Sequence, residues 1–194
     1  MIQITILFVR TDSIYKTMAV ECWDAERDAT QYQGPGPIVA HPPCRAWGCL
    51  RKFARPRPGE KGLALWAVDK VRECGGVLEH PCGSRLWPEA GLPRPGKDGD
   101  QFGGFTLDVD QHWWGHRAQK RTWLYVCGCK RNEIPSMPIR ITQAPCVITN
   151  MHGLRSGMTG YRKEVTKRER EATPKEFAEW LIEVASRCSR KTEK

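Results

Sequence analysis

Ile38-Val-Ala-His-Pro-Pro-Cys44 is the stretch that sets the fold class of this chain. Ile38–Ala40 is a brief apolar run suited to a buried strand, and two prolines then remove the backbone donors that a longer strand or a helix would need. Cys44 therefore stands just past a strand end. Upstream, Gln33-Gly-Pro-Gly-Pro37 reads as a turn, since proline fixes φ and glycine supplies the open angles. Downstream, Arg55-Pro-Arg-Pro-Gly59 is a stiff basic loop. Gly62–Cys74 follows, with Leu63, Ala64, Ala67, Val68 and Val71 spaced as the buried face of a helix. Gly75-Gly76 closes that helix where left-handed backbone is wanted. Val77-Leu78 is a second very short buried strand, and it ends at Glu79-His80-Pro81.

The same pattern extends outward in both directions. Ile2–Val9 predicts a central strand, and Ala19–Trp23 a shorter one ending at Asp24. Trp87–Gly104 is rich in proline and glycine and predicts a long loop; Thr122–Val126 predicts another strand. From Cys129 to Gly160 the pattern is weak. Thr173-Pro-Lys-Glu176 predicts a helix start, with Thr173 as cap and Glu176 closing a capping box, and the helix runs to about Arg187 with Phe177, Trp180, Leu181 and Val184 buried. Alternating strands and helices predict a single α/β domain with a mostly parallel sheet, flanking helices and a C-terminal helix. Residues 1–128 form the expected core. Residues 129–194 form an irregular extension whose helix packs on it. In such sheets the functional crevice lies beyond the carboxyl ends of the strands.

Composition narrows the function classes. With 194 residues and 40% hydrophobic content, the chain can bury one good core. No apolar run approaches the roughly 18 residues that cross a bilayer. Ile2–Val9 has neither a basic start nor a cleavage site, so a cytoplasmic location is expected and a membrane is not. A net charge of +9 favours an acidic partner, with nucleic acid or a nucleotide first. Basic residues cluster at Arg45–Lys61, Arg117–Arg121 and Arg162–Arg170; the last cluster is interleaved with Glu164, Glu169 and Glu171 and also suits a solvated face. The nine cysteines are odd in number and lack a secretory signal, which suits reduced thiols. Cys127-Gly-Cys129 is spaced by one residue and no Cys-x-x-Cys pair exists, so the leading expectation is no metal site; a composite one would draw on His41, His80, His112 or His116.

Each polar residue at these strand ends has a plain structural explanation when taken alone: a small buried thiol, a capping carboxylate, surface arginines. Their order says more. Ile38-Val-Ala-His-Pro-Pro-Cys44, Gly76-Val-Leu-Glu-His-Pro81 and Trp114-Gly-His-Arg-Ala-Gln-Lys-Arg-Thr-Trp-Leu-Tyr-Val-Cys-Gly128 together resemble the cytosine carbon-5 DNA methyltransferases, over roughly residues 36 to 128. The resemblance implies a reduced Rossmann-like sheet. It makes Cys44 the nucleophile on a pyrimidine ring, Glu79 the residue at the ring's polar edge, and Arg121, or its competitor Arg117, the clamp on the exocyclic oxygen. That chemistry needs a thiolate under the ring and charge-stabilising groups at its edge. A basic surround would help to ionise Cys44.

Pro43, His80, Trp114 and Gln119 are the expected substrate neighbours. The resemblance also implies S-adenosylmethionine, with Asp24 as the acid for its ribose. Here, however, Val9-Arg-Thr-Asp-Ser-Ile-Tyr15 stands where the family has its glycine-rich loop, and only about 65 residues follow Gly128, leaving no large target-recognition region. Pro-Cys-Gln is Pro-Cys-Arg45, Glu-Asn-Val is Glu79-His80-Pro81, and the last arginine of Gln-x-Arg-x-Arg falls on Trp123. The compact, tryptophan-rich form resembles small phage and prophage proteins.

The leading expectation is a pyrimidine carbon-5 modifying enzyme acting on DNA or a nucleotide. The alternative is a non-catalytic nucleic-acid or nucleotide binder that kept the base pocket; other thiol chemistry at Cys44 is a third course. If a base is flipped from DNA, Trp47, Trp113 or Trp114 could stack on it, though core packing explains them equally. His41, His80 and His116 flank the site as bases or as packing residues.

Overall fold

The computed structural model describes residues 3–149 and 153–188. Strands β1 (Thr5–Leu7) and β3 (Ile38–Ala40) are buried throughout and lie side by side in parallel. Their continuous apolar character is what a strand covered on both faces requires. With β2 (Glu21–Trp23), β4 (Gly76–Pro81), β5 (Phe105–Asp110) and β6 (Arg121–Cys127) they form one six-stranded sheet in the order β2-β1-β3-β4-β6-β5. β1 to β4 pair in parallel, and β6 runs antiparallel to both its neighbours. This is the single-domain, mostly parallel α/β arrangement expected from the alternation of elements.

Side-chain alternation divides the core in two. On one face Leu7, Ile38, Ala40, Leu78 and Tyr125 meet helix α1 (Glu60–Cys74), Trp47 and Trp87. The short helix α2 (Leu86–Glu89) overlaps the start of the expected long loop. On the other face Ile6, Val39, Val77, Leu124 and Val126 meet Tyr15 and Trp114, together with Phe177, Trp180, Leu181 and Val184 of the last helix. Before that helix come the strand pair β7 (Cys146–Val147) and β8 (Lys163–Glu164) and the short helix α3 (Lys167–Glu171). The last helix, α4 (Lys175–Arg187), therefore supplies half of the sheet's cover, and the extension after residue 128 is built into the core.

Some boundaries differ from the sequence reading. The strand expected at Ile2–Val9 is confined to Thr5–Leu7, with Ile2 outside the described residues. β5 was not foreseen, because the glycine-rich run before it masks its start. Helix α4 begins after Pro174, and Thr173 does not cap it: Pro174 is extended and offers no side-chain acceptor. The capping box lies instead at α3, where the Thr166 hydroxyl accepts from the Glu169 backbone and Glu169 accepts in return. Among the described residues no helix is long and apolar enough to cross a membrane.

Candidate functional site

The carboxyl ends of β1, β3 and β4 carry a continuous hydrogen-bonded chain. β3 ends at Ala40, so His41 turns to the α4 face and reaches Glu79 on the neighbouring strand, Nδ1 to Oε2 at 3.1 Å. A carboxylate only accepts, so His41 Nδ1 carries the proton; in the neutral ring Nε2 then accepts from the Tyr15 hydroxyl at 3.0 Å. Gln111, in the turn after β5, donates from Nε2 to Glu79 Oε1 and to Thr122 Oγ1, both at 3.0 Å. Both Glu79 oxygens are thus held in place from opposite sides.

Burial alone would raise the Glu79 carboxyl. The His41 hydrogen bond, the Lys120 ammonium and, in acid, the charges of protonated His41 and His80 more than offset it and hold the group at about 2. Glu79 is therefore a fixed anion at neutral pH.

Cys44 sits at the rim, open to solvent on one side. Its carbonyl accepts from the backbone of Trp47 and Gly48, which winds the chain into a turn directly after the thiol. Partial burial and then the Glu79 charge push the thiol up, and Lys120 opposes them. Lys120 is itself pushed down by burial and partly restored by Glu79 and Cys44. Its ammonium donates to the Ala172 carbonyl at 2.9 Å, which ties the site to the chain between α3 and α4. Glu171, beside it, is held by Arg10.

Of the residues expected from sequence the structure brings together Cys44, Glu79 and the flanking His41, and it adds Tyr15, Gln111 and Lys120. It does not bring in the expected arginines. Arg121 opens β6, opposite Asp110, on the face that carries Trp123 and His80; there it pairs with Asp108. Glu79 faces the other way. One step along a strand reverses the face, so the lysine whose charge acts on Glu79 is Lys120, through space and not as an ion pair. Arg117 is exposed and bonded to Glu169 at 2.7 Å. Gln119 accepts from Arg162 at 3.1 Å on the surface.

Trp114 is core, its ring 4.9 Å from those of both Phe177 and Trp180, and Trp47 is fully buried. His80 is buried on the α1 face beside Trp87 and opposite Trp123 in the ladder. Burial lowers it to about 4, only partly offset by Glu79 and the Pro43 carbonyl. Gln111 and Tyr15 carried no local sequence signal. Lys120 lay inside a segment already singled out.

The residues after β1 do not fit S-adenosylmethionine. The left-handed backbone that a glycine-rich loop provides is carried here by Phe8, at φ 62°. The chain then closes into a short turn, Ile14–Thr17, whose Tyr15 is buried in the core against His41. Asp24 is also engaged: Lys16 donates to Oδ2 at 2.6 Å, and the Glu26 and Arg27 backbone donates to Oδ1. The Lys16 hydrogen bond and these backbone donors hold its carboxyl at about 2. The acid expected for a ribose is thus already paired within the chain. Among the described residues no group of three or more His, Cys, Asp or Glu side chains gathers as a metal site would require. No protein-family model matches the chain, and no curated protein matches it.

Proposed function

We propose that this protein binds nucleic acid or a pyrimidine nucleotide in the carboxyl-end crevice and does not transfer a methyl group from S-adenosylmethionine. The observation that carries this reading is the Tyr15–His41–Glu79–Gln111 chain. It fixes an anionic acceptor near the carboxyl end of β4, and Tyr15 packs into the core in the segment where a methyl-donor loop would lie. A carboxylate held at about 2 accepts hydrogen bonds from a base amino group but has no proton to give at neutral pH. The thiol beside it is raised, so it rests mainly as the neutral form. Lys120 supplies the cation for a phosphate or a ring oxygen, and the net charge of +9 favours the polymer. Calorimetry with dCMP, dUMP, a short oligonucleotide and S-adenosylmethionine tests the reading. Binding of a pyrimidine ligand without the methyl donor is expected, and tight binding of S-adenosylmethionine would overturn it.

A second reading keeps Cys44 as a nucleophile on carbon 6 of a pyrimidine. It is favoured by the exposure of Cys44 beside a lysine that draws its thiol down. The thiol then adds to carbon 6 while carbon 5 takes a proton from water, and reversal releases the base with its carbon-5 hydrogen exchanged. A deoxycytidine oligonucleotide in heavy water should therefore exchange that hydrogen, and Cys44→Ser should abolish the exchange. No exchange with the native protein removes this reading and leaves the first intact.

A further inference from the structure

The loop between Cys44 and α1 is anchored at both ends and bare in the middle. Arg45, next to the thiol, donates from Nε to Glu60 Oε1 at 2.8 Å, and Glu60 is the first residue of α1. The Arg57 backbone donates to the same carboxylate at 3.3 Å, and the Trp47 indole donates to the Lys61 carbonyl at 3.2 Å. The Arg85 backbone donates to the Trp47 carbonyl at 3.0 Å, which fastens the loop beside the end of β4. Between these anchors lies a single 3-10 turn, Arg51–Phe53, and then Ala54-Arg-Pro-Arg-Pro58.

Phe53, at the end of that turn, is 87% exposed, a large aromatic ring presented almost wholly to water. Among the described residues Arg51, Lys52 and Arg55 pair with no carboxylate, whereas most other arginines near the site do. An exposed ring among unneutralised cations, on a loop stiffened by prolines, has no packing role.

We propose that this loop is a docking surface for single-stranded nucleic acid, with Phe53 stacking on an unpaired base and Arg51, Lys52 and Arg55 following the phosphates. It rests on the nucleotide-binding reading above and extends it by making the ligand a polymer that runs past the crevice. Stacking on an aromatic ring beside a basic track is the general means of holding single strands. An anionic membrane is the less suited partner, because surface-seeking segments bury a broad apolar face of a helix. Here one three-residue turn presents a single ring.

Fluorescence anisotropy with the full chain tests the proposal, using a labelled 12-mer of deoxycytidine, its duplex, dCMP as competitor, and phosphatidylserine vesicles. The single strand is expected to bind more tightly than the duplex. Phe53→Ala should weaken it about tenfold, while Phe53→Trp keeps it. The double variant Lys52→Ala/Arg55→Ala should flatten the slope of log K against log salt by about 1.4, roughly 0.7 for each cation removed. Neither change should alter dCMP binding.

Oligonucleotide binding that is indifferent to Phe53, or binding to vesicles in place of the oligonucleotide, overturns the loop proposal while dCMP binding upholds the crevice. Binding of neither dCMP nor the oligonucleotide overturns both.

Discussion

At the level of single residues, burial pushes the Cys44 thiol up, and the charges of Glu79 and Lys120 then pull it in opposite directions. The carboxylate disfavours a thiolate and the ammonium favours it. Lys120→Ala should therefore slow alkylation of Cys44 by iodoacetamide several-fold at pH 7.5, and Glu79→Gln should speed it. Site-resolved mass spectrometry separates Cys44 from the other eight thiols. Equal rates in both variants would mean that neither charge reaches the sulfur. Cys44 and Glu79 were legible from sequence because Cys44 follows the short apolar strand β3 and Glu79 directly follows the apolar residues of β4, each bounded by proline, so their positions at one end of the sheet came with the strands. Lys120 was not, since choosing between adjacent residues 120 and 121 needs the face of β6, and the pattern Gln119-Lys-Arg121 carries no facing information. Tyr15 and Gln111 reach the site from turns, whose courses no periodicity records.

At the level of elements, the closeness of β3 and β4 depends on Gly76. Its φ is +121°, and a Cβ there would lie 2.0 Å from the Ile38 carbonyl oxygen. Gly76→Ala should destabilise the fold by at least about 2 kcal/mol, through both the backbone angle and the clash with a strand that cannot retreat. A urea midpoint equal to that of the native protein would contradict the close packing. On the opposite face, Trp114 joins the turn after β5 to α4 through Phe177 and Trp180. Trp114→Ala should cost about 3–5 kcal/mol and loosen α4, seen as faster amide exchange over Lys175–Arg187. Unchanged exchange would show α4 to be held by its other contacts alone. Helix α4 was readable because Phe177, Trp180, Leu181 and Val184 recur at helical spacing. β5 was not: Phe105–Asp110 alternates only partly, and its two aspartates suit a loop until Arg121 and the Lys120 backbone are brought against them.

For the whole molecule, the residues at the end of β4 make stability depend on acid in two steps. His80 is held at about 4 against an ordinary value of 6.5, so the unfolded chain takes its proton first. The neutral ring's contribution is complete above pH 6.5 and is lost as pH falls toward 4, on the order of 3 kcal/mol at about 1.36 kcal/mol per pH unit. Glu79 behaves as a depressed acid. Its contribution is complete above about 4.5 and is lost as pH falls toward 2, by a similar amount of roughly 3 kcal/mol. The two are neighbours and not strictly additive, because protonating Glu79 removes a charge that favours the His80 cation. His116, also lowered by burial, adds to the upper step. Urea unfolding from pH 8 to pH 3 should show stability falling first below 6.5 and again below 4.5. His80→Phe keeps an aromatic ring beside Trp87 and removes the titrating group, so it should erase most of the upper fall and spare the lower. An upper fall of full size in that variant would place the acid-sensitive group elsewhere.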